Sequence, residues 1–347
     1  MTQSPRKRRS AGRTKLHDVA ALAGVSAMTV SRYFNSRETV GLDLQKRIAS
    51  AIEKTGYVRN VFAGSLASAR GKSIGMVIPH ISGGVYAETV QGVSDTLRAN
   101  NYQLLLATSN YSMEEEEAAV RAFLGWAPAA IVLTNSSKHS RKTLEMLATA
   151  GVPIVHTWSD KPKAKQINVG FSNINVGRDC VTYLHSRGYR RIVFVHPTFK
   201  EDLGANDRAK GYTATMEEYG LTPAEFRSPL TTPLDAGRDA FETLTRGRHP
   251  ADAIIFANDN LAAGALLYGA HKGIPIPGTC AVMGFGDLSI SDKLLPSLTT
   301  VRPPRYEIGR IAALRILESL HAVENELVDR VQFNNDLPYE IVERESA

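Results

Sequence analysis

Residues 16–35 read LHDVAALAGVSAMTVSRYFN and decide the fold of the amino-terminal part of the chain. Apolar residues at positions 16, 19, 20, 22 and 23 follow the period of a short amphipathic helix, which Gly24 ends. Ser26 can cap a second helix that buries Val30, Tyr33 and Phe34. Two helices joined by so short a turn predict a helix-turn-helix unit.

A third helix should complete the core of this unit. Leu44, Ile48, Ala51 and Ile52 recur at helical spacing up to Gly56. Two helices alone could not bury enough apolar surface to be stable. We therefore expect a three-helix domain whose second helix presents its outer face to the major groove of DNA.

Positive charge is concentrated at this end of the chain. Residues 1–70 hold 13 Lys and Arg against four Asp and Glu, a net charge of +9, and the remaining 277 residues hold 28 against 31, a net charge of −3. This asymmetry favours a polyanionic partner, because each phosphate that is neutralised releases counterions. Taken alone, the charge is equally compatible with a solvated basic tail.

Composition excludes several other classes of protein. With 347 residues, 43% of them hydrophobic, the chain is long enough for two or three domains and is not disordered overall. Its two cysteines, Cys180 and Cys280, lie far apart, which argues against a disulfide framework or a thiolate metal site. No apolar run is long enough to span a bilayer, and the basic start does not lead into a signal-peptide core. We expect no metal, no cofactor and no membrane partner.

The helix-turn-helix stretch resembles the lactose/galactose repressor (LacI/GalR) family. The family signature D-V-A…A-G-V-S…T-V-S-R…N is matched by Asp18, Val19, Ala20, Ala23, Gly24, Val25, Ser26, Thr29, Val30, Ser31, Arg32 and Asn35. The resemblance implies a homodimer that binds a near-palindromic, double-stranded operator. It also implies DNA contacts from Lys15, Ser26, Ala27, Met28, Thr29, Ser31, Arg32 and Asn35.

The likeness continues into residues 60–67, which are similar to the family's hinge helix. That helix folds in the minor groove and inserts leucines between base steps, so the resemblance implies DNA contacts from Asn60, Ala63 and Leu66. Gly64 is a poor helix former and destabilises a helix by up to ~1 kcal/mol relative to Ala. An ordinary linker with one buried leucine is the alternative.

Beyond Arg70 the pattern changes to alternating strands and helices. One set of buried strands is predicted near 74–78, 102–106, 130–133 and 153–155, and a second near 192–195, 253–256 and 281–285. Helices are predicted between them, at about 86–100, 114–125, 140–150, 175–187, 207–219, 235–246 and 259–272. The fold class is an all-α helix-turn-helix domain plus hinge, followed by an α/β core of two doubly wound parallel-sheet subdomains.

The resemblance also covers this core, which looks like the family's periplasmic-binding-protein-like effector domain. The expected organisation is a basic arm over residues 1–14, a DNA-binding domain over 15–59, a hinge over 60–71 and an effector-binding and dimerisation core over 72–347. Chain crossovers between the two subdomains are expected near residues 170, 300 and 335.

Enzyme motifs are missing from the sequence. Gly71-Lys72-Ser73 resembles the end of a phosphate-binding loop, but the earlier glycine that such a loop needs would be Leu66. No GxGxxG follows the first strand, and no HExxH or GxSxG is present. We expect no enzymatic activity. A flavodoxin-like enzyme fused to a DNA-binding module and a solute-binding protein of the same fold are the alternatives.

Effector-binding residues are expected at strand ends, where doubly wound sheets bind ligands. The resemblance implies that Arg208 and the pair Asn258-Asp259 reach the effector, because they match the family's ligand-binding arginine and its N-D pair. A surface ion pair for the arginine and a helix cap for the other two are the alternatives. The remaining candidates at such positions are Tyr86, Asn173, Asn175 and Asp287.

One departure from the family bears on the effector. Many relatives have Gly-Tyr-Asp-Asp where this chain has Gly284-Phe285-Gly286-Asp287, so a ligand carboxylate is replaced by Gly286. Loss of that charge favours an anionic ligand, although Gly286 could equally serve a tight turn. Together with Met28-Thr29-Val30-Ser31-Arg32 and residues 169–173, this turn resembles gluconate-type repressors. Gluconate or a related sugar acid is therefore the expected effector, with a neutral sugar or a purine as the alternative.

The sequence thus predicts a cytoplasmic, nucleoid-associated, dimeric repressor whose operator affinity depends on a small molecule. After the last strands, expected at about 331–334 and 339–342, only residues 343–347 remain. They contain no heptad segment that could join two dimers, so a dimer is expected rather than a tetramer.

Overall fold

The structure, a computed structural model, describes residues 14–58, 71–134, 138–161, 166–324 and 332–347. It divides into two compact units, Met1–Ala69 and Arg70–Ala347. The predicted hinge residues Asn60, Ala63 and Leu66 lie outside the described residues, and so does the basic arm up to residue 13.

The first unit contains the three predicted helices, α1 (Leu16–Ala23), α2 (Ala27–Asn35) and α3 (Leu42–Thr55). Gly24 ends α1 in the left-handed conformation, with a φ of 63° that favours glycine. The Ser26 hydroxyl caps α2 by accepting a hydrogen bond from the Thr29 N–H at 3.1 Å. The helix-turn-helix prediction is confirmed, and a short 3₁₀ turn at Arg37–Thr39 adds to it.

The core of this unit joins all three helices. Val19 of α1, Val30 of α2 and Ile48 of α3 are completely buried in one apolar cluster. Arg47 of α3 adds a hydrogen bond between helices, because its guanidinium donates to the Ala23 carbonyl at the end of α1 at 2.6 Å. That carbonyl would otherwise have no helical partner, so α3 stabilises the turn itself.

The second unit contains two six-stranded sheets. The first sheet has the strand order β11-β5-β4-β3-β1-β2, with every neighbouring pair parallel. Its strands are β1 (Ser73–Ile78), β2 (Gln103–Thr108), β3 (Ala130–Thr134), β4 (Ile154–Thr157), β5 (Ile167–Gly170) and β11 (Asn334–Asp336).

The second sheet has the order β12-β10-β9-β8-β6-β7 and is parallel except for β12, which runs antiparallel to β10. Its strands are β6 (Ile192–Val195), β7 (Ala224–Phe226), β8 (Ala253–Phe256), β9 (Ala281–Phe285), β10 (Thr299–Arg302) and β12 (Glu340–Val342).

Helices connect these strands. The described helices of the second unit are α4 (Ala87–Ala99), α5 (Met113–Gly125), α6 (Arg141–Thr149), α7 (Asn173–Ser186), α8 (Leu203–Glu218), α9 (Pro233–Leu244), α10 (Asp259–Lys272) and α11 (Arg305–Glu324). They pack in pairs, α4 against α11, α7 against α8 and α9 against α10. The predicted architecture of two doubly wound sheets is confirmed.

The chain passes between the sheets three times, after β5, after β10 and between β11 and β12. Strands β5, β7 and β10 have no counterpart among the predicted strands. They are only three or four residues long, and their sequences INVG, AEF and TTVR carry little hydrophobic signal. The final strands begin at Asn334 and Glu340, slightly later than expected.

Glycines allow α7 and α8 to approach closely. A Cβ on Gly177 of α7 would lie 1.9 Å from the Arg208 carbonyl oxygen, and one on Gly211 of α8 would lie 1.9 Å from the Ile174 carbonyl oxygen. Both neighbours are backbone atoms and cannot rotate away. The two glycines therefore set the distance between the helices that carry Asn173 and Arg208.

We predict that Gly177→Ala destabilises the second unit by about 1–3 kcal/mol, because the added methyl group overpacks a backbone contact. Urea denaturation followed by tryptophan fluorescence measures this change. The matched control is Gly125→Ala at the end of α5, where a Cβ meets nothing within 4 Å. Equal stability of the two variants would contradict the close-packing argument.

Candidate functional site

A cavity of about 430 Å³ lies between the two sheets, at the carboxyl ends of their strands. This volume falls within the range of about 300–1,000 Å³ that small-molecule sites occupy. We call the first sheet with the helices that pack on it the first-sheet half of the core, and the second sheet with its helices the second-sheet half. The first-sheet half contributes His80, Ser82, Gly83, Val85, Tyr86, Tyr111 and Trp158. The second-sheet half, with the helices that pack on it, contributes Asn173, Pro197, Thr198, Phe199, Asp202, Gly204, Arg208, Thr231, Thr232, Pro233, Leu234, Ala257, Asn258, Asn260 and Phe285.

Arg208 is the main charged group of the cavity wall. Its side chain, on α8, is buried with 6% of its surface exposed, and burial lowers the pKa of its guanidinium. The Nη1 donates to the Asn173 Oδ1 at 2.6 Å, and the Nη2 donates to the Ala257 carbonyl at 3.0 Å. The guanidinium carbon lies 3.8 Å from the centre of the Phe285 ring. The buried Nε has no hydrogen-bond partner among the described residues.

Asn173 joins the two halves of the cavity. It begins α7, which the Ser172 hydroxyl caps, and its Nδ2 donates to the Trp158 carbonyl beyond β4 at 3.2 Å. Asn175 lies two residues further along the helix, about 200° around its axis. Its side chain is therefore exposed to solvent and does not line the cavity.

Aromatic rings form much of the remaining wall. Tyr86 lies edge-on to Trp158, with 5.0 Å between the ring centres, and 6.0 Å from His80. Tyr111 stacks on Phe199 from the opposite half at 4.9 Å. Such rings offer apolar faces to the C–H groups of a ligand.

Three contacts join the two halves of the core beside the cavity. Besides the Tyr111–Phe199 stack, the Tyr111 hydroxyl donates to the Asp202 carboxylate at 3.4 Å, and the Asn260 Nδ2 donates to the Gly83 carbonyl at 3.1 Å. Burial and the nearby Asp202 charge raise the pKa of Tyr111 well above its usual value. The hydroxyl therefore stays protonated and remains a donor.

Asn258 and Asp259 are neighbours with different surroundings. Asn258 lines the cavity, and its Oδ1 also caps α10 by accepting from the Leu261 N–H at 3.1 Å. Asp259 is fully buried and does not line the cavity. Its carboxylate accepts from the Leu288 N–H at 2.8 Å and from the hydroxyls of Ser291 and Thr300 at 2.7 and 2.6 Å. The Asp259 carboxylate therefore stabilises the interior of the second-sheet half through these three hydrogen bonds.

Asp287 also faces away from the cavity. It follows Gly286, whose φ of 132° is accessible to glycine, and it has a left-handed φ of 47° itself. Its Oδ2 accepts from the Arg302 Nε at 2.5 Å and its Oδ1 from the Arg344 Nη2 at 2.7 Å. The structure thus brings Tyr86, Asn173, Arg208 and Asn258 together and leaves Asn175, Asp259 and Asp287 outside.

Several lining residues were not among the sequence candidates. Those with aromatic or charged side chains are His80, Tyr111, Trp158, Phe199, Asp202 and Phe285. All but Asp202 lie at or just beyond the carboxyl end of a strand, so the strand-end rule would have found them. Asp202 precedes α8 and caps it, because its Oδ1 accepts a hydrogen bond from the Ala205 N–H. From the sequence pattern alone, Asp202 can be identified only as the start of a helix.

The first unit presents the predicted DNA-contact residues on and beside α2. Met28 has 71% of its surface exposed, and Arg32 and Asn35 continue the same face at helical spacing. Ala27 and Ser31 are half-buried beside them, and Lys15 is exposed at the start of α1. Ser26 and Thr29 share a hydrogen bond of 2.9 Å between their hydroxyls, so both also serve the cap of α2.

Two further observations concern only the described residues. They contain no group of three or more His, Cys, Asp and Glu side chains placed to hold a metal ion. None of their helices combines the length and the apolar character that crossing a bilayer requires.

Comparison with known proteins assigns both units. Residues 15–60 match the model for bacterial regulatory proteins of the lacI family, and residues 181–347 match a periplasmic binding protein-like domain. The HTH-type transcriptional regulator GntR of Pseudomonas aeruginosa is 30% identical over 350 residues, covering 100% of this chain and 99% of that protein. The regulator IdnR of Escherichia coli is 30% identical, covering 89% of this chain and 92% of its own length.

Solved structures agree with this assignment. The crystal structure of a LacI-family transcriptional regulator from Silicibacter pomeroyi has a TM-score of 0.88 and 30% identity, and the alignment covers 96% of this chain and 99% of that one. These relatives are regulators and not enzymes, in agreement with the sequence prediction. The chain therefore belongs to the LacI family of bacterial transcriptional regulators.

Proposed function

We propose that this protein is a homodimeric repressor that binds operator DNA through its first unit and a sugar acid, such as gluconate, in the cavity of its second. One observation carries the effector assignment. Arg208 places a buried guanidinium on the cavity wall, and its hydrogen bonds go to the neutral oxygens of Asn173 and Ala257. The relatives named GntR and IdnR support the same ligand class.

A buried cation favours an anionic ligand. Removing the guanidinium from water is costly unless a charge compensates it, and a carboxylate fits its planar donor geometry. The buried Nε has no hydrogen-bond partner among the described residues and offers one further donor. A sugar acid supplies this carboxylate.

The rest of the cavity suits a polyol chain. Asn258, Asn260 and Thr232 provide amide and hydroxyl groups that exchange hydrogen bonds with ligand hydroxyls. Asp202 provides an acceptor close to Arg208, because a Cβ on Gly204 would lie 3.4 Å from both the Asp202 Oδ1 and the Arg208 Nη1. The rings of Tyr86 and Trp158 cover the C–H faces of the chain. A neutral sugar or a purine would use the same walls but would bring no negative charge to the buried guanidinium.

We predict that Arg208→Ala weakens gluconate binding by roughly 30-fold or more, because truncating one partner of a buried charge pair typically costs about 2–5 kcal/mol. Isothermal titration calorimetry measures this. Sorbitol, a neutral analogue of gluconate, is the matched ligand, and the preference for gluconate over sorbitol should largely disappear in the variant. Operator affinity without effector should stay nearly unchanged.

Arg208→Lys is the companion variant, because it keeps the charge and guards against loss of folding. It should retain part of the preference for gluconate. Wild-type affinity for gluconate in Arg208→Ala would contradict the sugar-acid assignment, and so would equal binding of gluconate and sorbitol by the wild-type protein. Tight binding of a purine would favour the alternative effector.

Operator binding is assigned to the exposed face of α2. Met28 and Arg32 extend from α2, the second helix of the helix-turn-helix, which is the helix that enters the major groove in this motif. The basic residues among the first 70 positions can contact the phosphates. Two such units on a near-palindromic site match the symmetry of a homodimer. We infer that the protein acts in the cytoplasm, associated with the nucleoid.

We predict that Arg32→Ala lowers affinity for the specific operator by about 1–3 kcal/mol per half-site, because a guanidinium that reads a base edge contributes about this much discrimination. Binding to unrelated DNA should change little. Lys54→Ala, on the exposed end of α3, is the matched control for loss of one positive charge. Electrophoretic mobility shifts at fixed salt measure both. Equal losses on specific and unrelated DNA would contradict base reading by Arg32.

The edge of the first sheet supports the homodimer. Among the strands that the structure describes, β2 pairs only with β1 and lies at the edge of its sheet, and Leu106 on it is 40% exposed. An exposed apolar edge strand invites pairing with another chain. A second copy of the protein covers this edge in the proposed dimer.

We predict a two-chain mass by light scattering, and a shift toward single chains in Leu106→Glu, because a carboxylate cannot be buried at such an interface without a partner. The control is Leu144→Glu on α6, which changes a leucine that is 45% exposed in the same half. A four-chain mass for the wild-type protein, or no effect of Leu106→Glu, would contradict the proposed arrangement.

A further inference from the structure

The turn that follows β9 connects the cavity to a cluster of arginines outside it. Phe285, the last residue of β9, covers the Arg208 guanidinium inside the cavity. Asp287, two residues later, faces the opposite way and holds Arg302 and Arg344 with its two carboxylate oxygens. A single short segment therefore has one side chain in the effector site and one in a network of charges.

The turn is held tightly at both ends. Asp259 accepts a hydrogen bond from the Leu288 N–H at 2.8 Å, and the Gly286 N–H donates to the Val301 carbonyl at 2.8 Å. Asp287 has a left-handed φ of 47°, which is a narrow allowed region for a residue with a side chain. Only Gly286 separates Phe285 from Asp287, so this turn links the cavity wall to the arginines that Asp287 contacts.

The other half of the core reaches this turn through Arg305. Arg305 begins α11, which packs on α4, β4 and β5 of the first-sheet half. Its Nη2 donates to the Asp287 carbonyl at 2.9 Å and to the Glu88 carboxylate at 2.7 Å. Arg305 is 9% exposed, so these hydrogen bonds are shielded from water on the arginine side.

Arg305 is also connected to cavity residues of the first-sheet half through α4. Glu88 lies on α4, two residues after the lining residue Tyr86. The Thr89 hydroxyl donates to the Arg305 carbonyl at 2.8 Å and accepts from the Trp158 Nε1 at 3.1 Å. The contact between Asp287 and Arg305 is therefore connected to the cavity from both halves.

We propose that Asp287 is a positioning residue that acts through Arg305 to set the angle between the two halves of the core and to couple that angle to occupancy of the cavity. The coupling part rests on the function proposed above. Asp287 does not touch the ligand in this scheme. Its carboxylate fixes the turn against Arg302 and Arg344, so that its carbonyl meets Arg305. We call the pair Asp287 and Arg305 the clasp.

Asp287→Asn tests the clasp with little risk to folding. Asparagine has nearly the same size and tolerates left-handed φ, but it lacks the charge that holds two arginines. The affinity for gluconate, measured by calorimetry, should change by less than about threefold. The ratio of operator Kd values with and without gluconate, typically about 5–150 for such coupling, should fall by about fivefold or more.

Two further variants make the comparison specific. Asp292→Asn removes the same charge in the same surface pocket, but Asp292 pairs with Lys293 and should have no effect on either quantity. Arg305→Met removes the other member of the clasp and should reproduce the effect of Asp287→Asn. The double variant Asp287→Asn with Arg305→Met should show little additional loss, because both changes break one contact.

A measurement without effector separates this proposal from the effector assignment. Nitroxides at Ala118→Cys on α5 and Glu218→Cys on α8 report the distance between the halves by double electron–electron resonance, and the native Cys180 and Cys280 are buried. The distance distribution should broaden or shift in Asp287→Asn and Arg305→Met and stay unchanged in Asp292→Asn. Failure of the wild-type protein to bind gluconate would overturn the sugar-acid assignment alone. Unchanged distances in Asp287→Asn and Arg305→Met would overturn the clasp.

Discussion

The burial of the Arg208 guanidinium is the constraint on which the effector half of this protein depends. A desolvated cation is tolerated only where fixed oxygens and ring faces surround it. Asn173, the Ala257 carbonyl and Phe285 provide this surrounding, from α7, the end of β8 and the end of β9. Each must be correctly placed for the charge to remain, so the cavity is built before any ligand enters.

Backbone packing makes that placement precise enough for recognition. Helices α7 and α8 meet at glycines, so the backbones that carry Asn173 and Arg208 are held close together. The left-handed turn at Gly286 and Asp287 sends neighbouring side chains to opposite sides. Rigid elements of this kind allow a ligand to act on the angle between the two sheets instead of only on loops.

Sequence reasoning reached the first unit almost completely because its signals are local. Helix periodicity, the Ser26 cap and the Gly24 turn all act within a few residues. The structure has α1 and α2 at the positions that these signals predict. For the cavity, pattern and resemblance located Arg208 and Asn173 but could not tell which strand-end polar groups face inward. Asp259 illustrates this, because its carboxylate is taken up by Ser291 and Thr300, far away in sequence.

The sequence by itself determined the helix-turn-helix, most of the strands and helices of the two sheets, and the family. The elements follow from hydrophobic period and turn residues, which are properties of neighbouring residues along the chain, and the family follows from its signature residues between Asp18 and Asn35. Only the tertiary structure decided that Tyr111 stacks on Phe199 beside the cavity, that Asp287 contacts two arginines outside the cavity, and that Arg305 joins the two halves. Such contacts depend on the angle and spacing of packed sheets, to which many distant residues contribute at once and which no local pattern records.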